Sequence, residues 1–256
     1  MVYIDKERCV GCGNCMRLCP MGVFVPGEQG PEIHPRRRCI QCMHCAGACP
    51  RKAIRFEELT VEETYPALSG EPLEDLIRSR RSIRHFFERL PEKEVVQQAL
   101  DTAAYAPSGK NQRAFRYTVV WGKHKVEELR DRCMDLCREY GEAPELPKLL
   151  AKGTDLLTCG APCMIVLHSP DDCLNPVLDA AVGMAQLELL LVHKGLGTCW
   201  GGYLRQVSDR FPEIRSYLGV PEGSHVRCAL MVGYAKGEKY PNPVWRPKTE
   251  ALWLEE

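Results

Sequence analysis

The sequence predicts an α+β chain built from two unlike parts, and three observations carry that reading. A cysteine spacing is duplicated within the first 58 residues. After residue 70, a few β-rich runs alternate with longer helical stretches, the mixture of an α+β domain. The charge also divides: residues 1–58 hold 9 basic and 6 acidic side chains, and the remainder holds 25 and 28. The length suits one or two domains, about 1.7 at the usual domain size.

Lys plus Arg and Asp plus Glu are each 34, so the formal net charge is zero. A chain built to hold nucleic acid carries a basic excess, so that class is set aside. Hydrophobic residues at 45% and charged residues at 27% exclude wholesale disorder. No uninterrupted apolar run of about 18 residues occurs, so no membrane span is expected. Charges arrive by Asp5 and Lys6, which argues against a secretory signal. A soluble cytoplasmic protein is the expectation.

There are 15 cysteines, eight of them between residues 9 and 49. In a reducing compartment such a cluster points to metal rather than disulfides. Cys9, Cys12, Cys15 and Cys19-Pro20 recur thirty residues later as Cys39, Cys42, Cys45 and Cys49-Pro50. Three thiolates two residues apart reach three corners of one cubane, and the Cys before Pro ligates the other. This assigns one 4Fe–4S cluster to Cys9, Cys12, Cys15 and Cys49. The second goes to Cys39, Cys42, Cys45 and Cys19. Structural zinc, with its two CxxC pairs, is the alternative, and the duplicated triple run does not fit it. Residues 1–58 resemble the bacterial two-cluster ferredoxins. Two clusters would replace the hydrophobic core so short a segment lacks. Arg36-Arg37-Arg38 reads either as a solvated basic edge or as a docking patch for an acidic electron donor.

Residues 59–70 lack periodicity and hold Pro66, Ser69 and Gly70, so a linker is expected there, with the second domain at 71–256. Pro72 opens an amphipathic helix through Leu76 and Ile77. Pro91 stands at a first helical position ahead of Val95, Val96, Ala99, Leu100 and Ala103 on one face. Strands are expected at 115–121, 163–168 and 226–234, with helices at 123–140, 145–158 and 175–194. The last helix is apolar nearly all round, although Asp179, Gln186 and Glu188 interrupt it. It reads as a central packed helix contributing to a subunit interface.

Four segments carry chemistry. Arg80-Arg81-Ser82-Ile83-Arg84 gathers guanidinium forks and a hydroxyl suited to a phosphate. Ala106-Pro107-Ser108-Gly109-Lys110-Asn111 is a loop between helix and strand. Gly195 to Tyr203 is glycine-rich and lets backbone amides approach a ligand. Trp245-Arg246-Pro247 lies near the C-terminus. Singly, each also reads as an ordinary cap, turn or loop. In this order they resemble the nitroreductase family of FMN-dependent oxidoreductases, from Arg80 to Arg246. The whole chain thus looks like a ferredoxin–nitroreductase fusion.

The resemblance implies roles. Arg80, Ser82 and Arg84 would hold the FMN ribityl phosphate and pyrimidine edge, with Arg81 adding at least its backbone. Pro107 and Ser108 would lie against the ring and Asn111 would hydrogen-bond it. Gly201 and Gly202 would offer backbone N–H groups near N5 and O4, and Arg246 would close on the phosphate. Arg113 stands where the family has a neutral residue, and Val244 where some members have Lys. A guanidinium beside N1–C2=O favours reduction of a flavin. No side chain is assigned as a catalytic acid or base. Trp200, Tyr203 and Tyr105 are candidates for stacking on a ring or for core packing. The seven other cysteines read as buried small hydrophobes.

The functional expectation is an FMN-dependent oxidoreductase fed by two 4Fe–4S clusters, reducing nitroaromatic, quinone or activated-alkene acceptors. A ferredoxin- or flavodoxin-like one-electron donor, or NAD(P)H, would supply electrons. A non-catalytic electron relay and a redox sensor are the rival readings. The resemblance also implies a homodimer.

Overall fold

In the computed structural model, which describes residues 1–237, 240 and 242–255, the chain forms two units. One is Met1–Ser79 with the C-terminal residues, and the other is Arg80–Gly237. The first unit contains β1 (Val2–Ile4), α1 (Asn14–Leu18), β2 (Phe24–Gly27), β3 (Gly30–Ile33), α2 (His44–Gly47), β4 (Ile54–Phe56), α3 (Val61–Thr64) and α4 (Pro72–Ser79). β1 pairs antiparallel with β4, Val2 opposite Phe56, and β2 with β3 forms a hairpin.

The thirty-residue repeat of the cysteines is also written in the backbone. Gly11, Gly13 and Gly22 have φ of 66°, 74° and 59°, and Gln41, Met43 and Lys52 have φ of 48°, 64° and 51°. Each left-handed position therefore recurs thirty residues on, glycine in the first copy and a strained non-glycine in the second. A turn that keeps its shape against its residue type is one that its surroundings impose. The core beneath the cysteine runs comprises Val2, Val23, Phe24, Met43, Ile54, Phe56, Tyr65 and Val244.

Residues 59–70, expected as a linker, are partly built into this unit. Thr60 Oγ1 accepts from Glu63 N (3.1 Å) and Glu63 Oε2 from Thr60 N (2.8 Å), a reciprocal cap on α3. The Tyr65 hydroxyl is buried, donating to Ile54 O (2.9 Å) and accepting from Ile54 N (3.0 Å). A single helical turn has no period to display, which is why the sequence shows only loop here.

The second unit contains α5 (Lys93–Ala103), β5 (Arg116–Trp121), α6 (Lys123–Tyr140), α7 (Glu145–Leu150), β6 (Cys163–Pro170), α8 (Pro176–His193), β7 (Gly197–Trp200), α9 (Gly202–Arg210), α10 (Pro212–Tyr217) and β8 (Ser224–Gly233). Its sheet runs β5-β6-β8-β7, antiparallel throughout. β6 and β8 are central. Cys163, Ile165 and Leu167 face Val96, Ala99 and Ala103 of α5 and Ala180, Met184, Leu187 and Leu191 of α8. Met164 and Val166 are equally buried on the other face, so β6 reads as an unbroken apolar run.

Three expectations shift. The helix expected from Pro91 begins at Lys93, with Glu92 as N-cap at φ −70°, ψ 133°. The helix expected over 145–158 stops at Leu150, because Gly153 turns left-handed (φ 83°) and the N–H groups of Gly153 and Thr154 fold back onto Leu150 O and Leu149 O (both 2.9 Å). The third concerns α8, expected to be buried all round. Its Val177, Leu178 and Val182 are 58%, 67% and 40% exposed in the single chain. α8 is also long and apolar enough to cross a membrane, yet its opposite side is packed into the core.

Candidate functional site

The eight repeated cysteines fall into two groups of four. Cys9, Cys12, Cys15 and Cys49 line one cavity with Ile4, Val10 and Ile54. Cys19, Cys39, Cys42 and Cys45 line another with Phe24, Met43 and Phe56. The grouping is the crossed one. Burial pushes the Cys15 thiol up to about 11, and Cys9, Cys12 and Cys49 push the same way. Cys45 is held well above its ordinary value by burial and then by Cys42, Cys19 and Cys39. Cys15 and Cys45 are thus disfavoured as thiolates, first by burial and then by their own quartets, a penalty that bound iron would offset. Among the described residues, no three His, Cys, Asp or Glu side chains gather as one ion would require. Thiolates ringing a cavity suit a cubane better than a single zinc, whose sulfurs sit about 2.3 Å from the metal.

Backbone amides point at the ligand sulfurs. Val23 N donates to Cys19 Sγ (3.2 Å) and Ala53 N to Cys49 Sγ (3.1 Å), again thirty residues apart. Gln41 N donates to Cys39 Sγ at 3.4 Å. Such donors stabilise negative charge on cluster sulfurs and raise the reduction potential.

In the second unit the Arg80–Arg84 segment is sewn onto β7. Ser82 bridges Thr198 in parallel fashion and Ile83 N donates to Thr198 O (2.8 Å). The approach requires Gly197, since a Cβ there would meet Ile83 side-chain atoms at 2.9–3.1 Å. Arg80 Nη1 donates to Glu188 Oε1 (3.3 Å). The same oxygen accepts from Thr198 Oγ1 (3.1 Å), and Oε2 accepts from Trp200 Nε1 (3.0 Å). Glu188 is buried on α8 and joins Arg80 to Trp200, whereas in the sequence it shows only as an interruption of the apolar pattern. A lone carboxylate on an apolar helix needs buried donors, and that was the available signal. Arg81 is buried and its Nη1 donates to Arg80 O (2.6 Å), so its side chain belongs to the scaffold.

Arg84, Leu156, Cys159, Cys199, Trp200, Gly202, Tyr203, Gln206 and Met231 line an open cleft of about 300 Å³. Its wall combines a guanidinium, two aromatic rings and apolar side chains, and its volume falls in the range of ligand sites. Trp200 is 41% exposed and Tyr105 86%, so neither is a core residue. Gly202 opens α9, where first-turn amides lack intrahelical partners, and a Cβ there would meet open space. Gly201 differs from its expected role. Its N–H donates to Ala229 O (2.8 Å), so its amide serves the sheet.

The 106–111 loop is clamped to the start of α8 instead of lining this cavity. Gly109 N donates to Asp179 Oδ2 (2.9 Å), and a Cβ on Gly109 would strike Asn175 and Leu174 at 2.6 and 2.8 Å. Ser108 Oγ accepts from Arg113 N and Asn111 Oδ1 from Arg113 Nε, both at 2.9 Å. Arg113 therefore occupies the amide oxygen expected to face a ring. Lys110, Asn111 and Arg113 all have positive φ (48°, 56° and 47°), strain of a kind that gathers at functional loops. Pro107 is exposed. Arg246 lies in the first unit, its Nη1 donating to Trp245 O (3.0 Å) and its Nη2 to Cys42 O (3.5 Å).

Of the remaining cysteines, Cys133, Cys137, Cys163, Cys199 and Cys228 are buried, and Cys159 and Cys173 are half-buried. Burial pushes Cys163 up to about 12, which keeps it a thiol and a small hydrophobe.

Comparison with known proteins separates the same two regions. Residues 8–54 match the 4Fe-4S dicluster domain and residues 77–234 the nitroreductase family. An FMN-bound nitroreductase structure from Desulfitobacterium hafniense is 26% identical at a TM-score of 0.61, covering 73% of this chain and 100% of that one. One from Bacteroides fragilis, also with bound FMN, is 25% identical at 0.57 with the same coverage. A protein of Archaeoglobus fulgidus, named for NADH dehydrogenase and NAD(P)H nitroreductase activity, is 28% identical over 165 residues, 64% of this chain and 86% of its own. With the family match spanning well over half of its length behind a dicluster domain, the chain belongs to the nitroreductase family.

Proposed function

We propose that the protein is a cytoplasmic FMN-dependent reductase whose electrons arrive through two 4Fe–4S clusters. The observation that carries this reading is the joining, in one chain, of two crossed thiolate quartets to the nitroreductase site around Arg80–Arg84. When bound, the clusters supply one-electron transfer and FMN supplies exchange of both one and two electrons. Small electron-poor acceptors, namely nitroaromatics, quinones or activated alkenes, fit that chemistry.

The residues fit both groups. The Cys9 and Cys39 quartets would hold the clusters, with Val23, Ala53 and Gln41 amides directed at their sulfurs. Arg80 and Ser82 would take the phosphate, with Glu188 holding the Arg80 guanidinium in place before it arrives. Arg84 would set positive charge in the cavity wall, which favours added electrons there. Trp200 and Tyr203 would exclude water from the ring, and the Gly202 amide would direct its N–H to a ring acceptor. Pro107, Ser108 and Asn111, which do not line this cavity in the single chain, are left without a role at the ring in this reading.

Two kinds of partner follow. The exposed Leu174, Val177, Leu178 and Val182 form an apolar stripe that supports a homodimer through α8. Exposed Arg36, Arg37 and Arg38, with Arg37 Nη1 donating to Met21 O (3.1 Å) beside the Cys19 turn, suit an acidic one-electron donor. The test is steady-state turnover of a nitroaromatic and a quinone by anaerobically purified protein, with reduced ferredoxin and with NAD(P)H as donors. Turnover with ferredoxin that falls as salt rises is expected. Acceptor reduction with neither donor would sink the enzymatic reading and leave the relay.

A further inference from the structure

The resemblance puts a late arginine on the flavin phosphate, but here the C-terminal residues hold the second cysteine run. Asn242 is buried, and its Nδ2 lies 2.9 Å from Cys49 O, 3.4 Å from Gly47 O and 3.5 Å from Ala46 O. Its backbone N donates to Gly47 O as well, at 3.3 Å. Ala46 and Gly47 end α2 and Cys49 follows it; Ala46 O also accepts from Cys49 N (3.1 Å) and Cys49 O from Lys52 N (3.2 Å), so Asn242 adds a further donor to carbonyls gathered at the end of this helix. Val244 is buried in the core beneath the quartets, beside Met43 and Phe56. Tyr240 meets the His44 ring edge-on at 5.6 Å. Arg246 then brings a guanidinium to the carbonyl of Cys42.

We propose that residues 242–246 form a strap over Cys42–Cys49, with Asn242 as the positioning residue of that segment and Arg246 as a cation tuning the second cluster. This rests on the two-cluster reading above. The strapped segment carries Cys42 and Cys45 of one quartet and Cys49 of the other, so loosening it exposes both clusters to loss. Asn242 acts as a donor to clustered carbonyl oxygens. An aspartate of the same shape would set oxygen against oxygen, replacing a side-chain donor with repulsion. Arg246 acts by charge: a cation beside a cluster of net negative charge favours its reduced form. Because Arg246 is exposed, salt screens that effect.

The test uses full-length holoprotein carrying Asn242→Ala, Asn242→Asp or Arg246→Gln, with iron release to a chelator, EPR-monitored redox titration and FMN affinity as readouts. Removing the Nδ2 donor in the two Asn242 variants should speed iron release about tenfold, with the aspartate no better than alanine. In Arg246→Gln one cluster should titrate at lower potential, the other should stay, and the difference should shrink at high salt. FMN affinity should match wild type in all three. A loss of FMN affinity in Arg246→Gln with both potentials unmoved would overturn the proposal and return Arg246 to the phosphate. Wild-type iron release in Asn242→Asp would remove the strap. Wild-type protein that contains zinc and no labile sulfide would instead remove the two-cluster reading itself.

Discussion

Glu188 and Arg84 separate what a residue's chemistry discloses from what only its neighbours disclose. Arg84 stands in a run of guanidinium groups with a serine, so the part in anion binding proposed for it was readable from the sequence. Charge-assisted hydrogen bonds contribute roughly 1.5–3 kcal/mol each. Arg84→Ala should therefore weaken FMN binding about tenfold to a hundredfold, measured by fluorescence titration of the apoprotein. Wild-type affinity would remove Arg84 from the site. Glu188 was legible only as a charged break in an apolar helix, because its donors, Arg80, Thr198 and Trp200, are distant in sequence or lie on a strand that no pattern announces. Glu188→Gln keeps the shape but turns one acceptor oxygen into a donor, so either Trp200 or the Arg80–Thr198 pair loses its partner. The expected result is weaker FMN binding with a changed Trp200 emission; affinity without change would show that Arg80 needs no preorganisation. Gly201 marks the opposite error, since a glycine's freedom to approach a ligand says nothing about where its own N–H is spent.

Elements were legible where they are long and periodic. α6 spans Lys123–Tyr140 as expected, and α8 and the central strands lie within two residues of their expected ends. β7 was missed because its four residues, Gly197 to Trp200, begin on a glycine and have no room to alternate. Yet β7 places the site, since it carries the Arg80–Arg84 segment along its edge. Gly197→Val should drive that segment off the strand by collision with Ile83, lowering FMN occupancy while cluster absorbance persists. Full occupancy would contradict the role given to the bridge. In the first unit, the repeat in spacing was visible but its echo in left-handed backbone was not, because Gln41, Met43 and Lys52 are not turn-forming types. The crossed quartets give a specific outcome there. Cys19→Ser, although it alters the first run, should remove or convert the cluster held by Cys39, Cys42 and Cys45. An EPR change confined to the cluster of Cys9, Cys12 and Cys15 would refute the crossing.

At the scale of the whole molecule, the sequence showed two dissimilar parts but drew the boundary from composition, and composition cannot see a chain return. The C-terminal residues pack into the first unit through Asn242 and Val244, far from it in sequence. The apolar character of α8 was legible as well, though not that part of it faces outward in one chain. Covering a leucine there is worth roughly 1.5–3 kcal/mol per subunit, so Leu178→Glu should shift a salt-insensitive dimer toward a 28.9 kDa monomer in sedimentation. A wild-type monomer with full FMN would end the shared interface. The central claim is that one chain unites two thiolate-held clusters with a flavin, and its direct test is elemental and cofactor analysis of anaerobically purified protein. About eight iron, eight acid-labile sulfide and one FMN per chain are predicted from two complete quartets and one site. Zinc without labile sulfide, or FMN with no iron after anaerobic reconstitution, would contradict it.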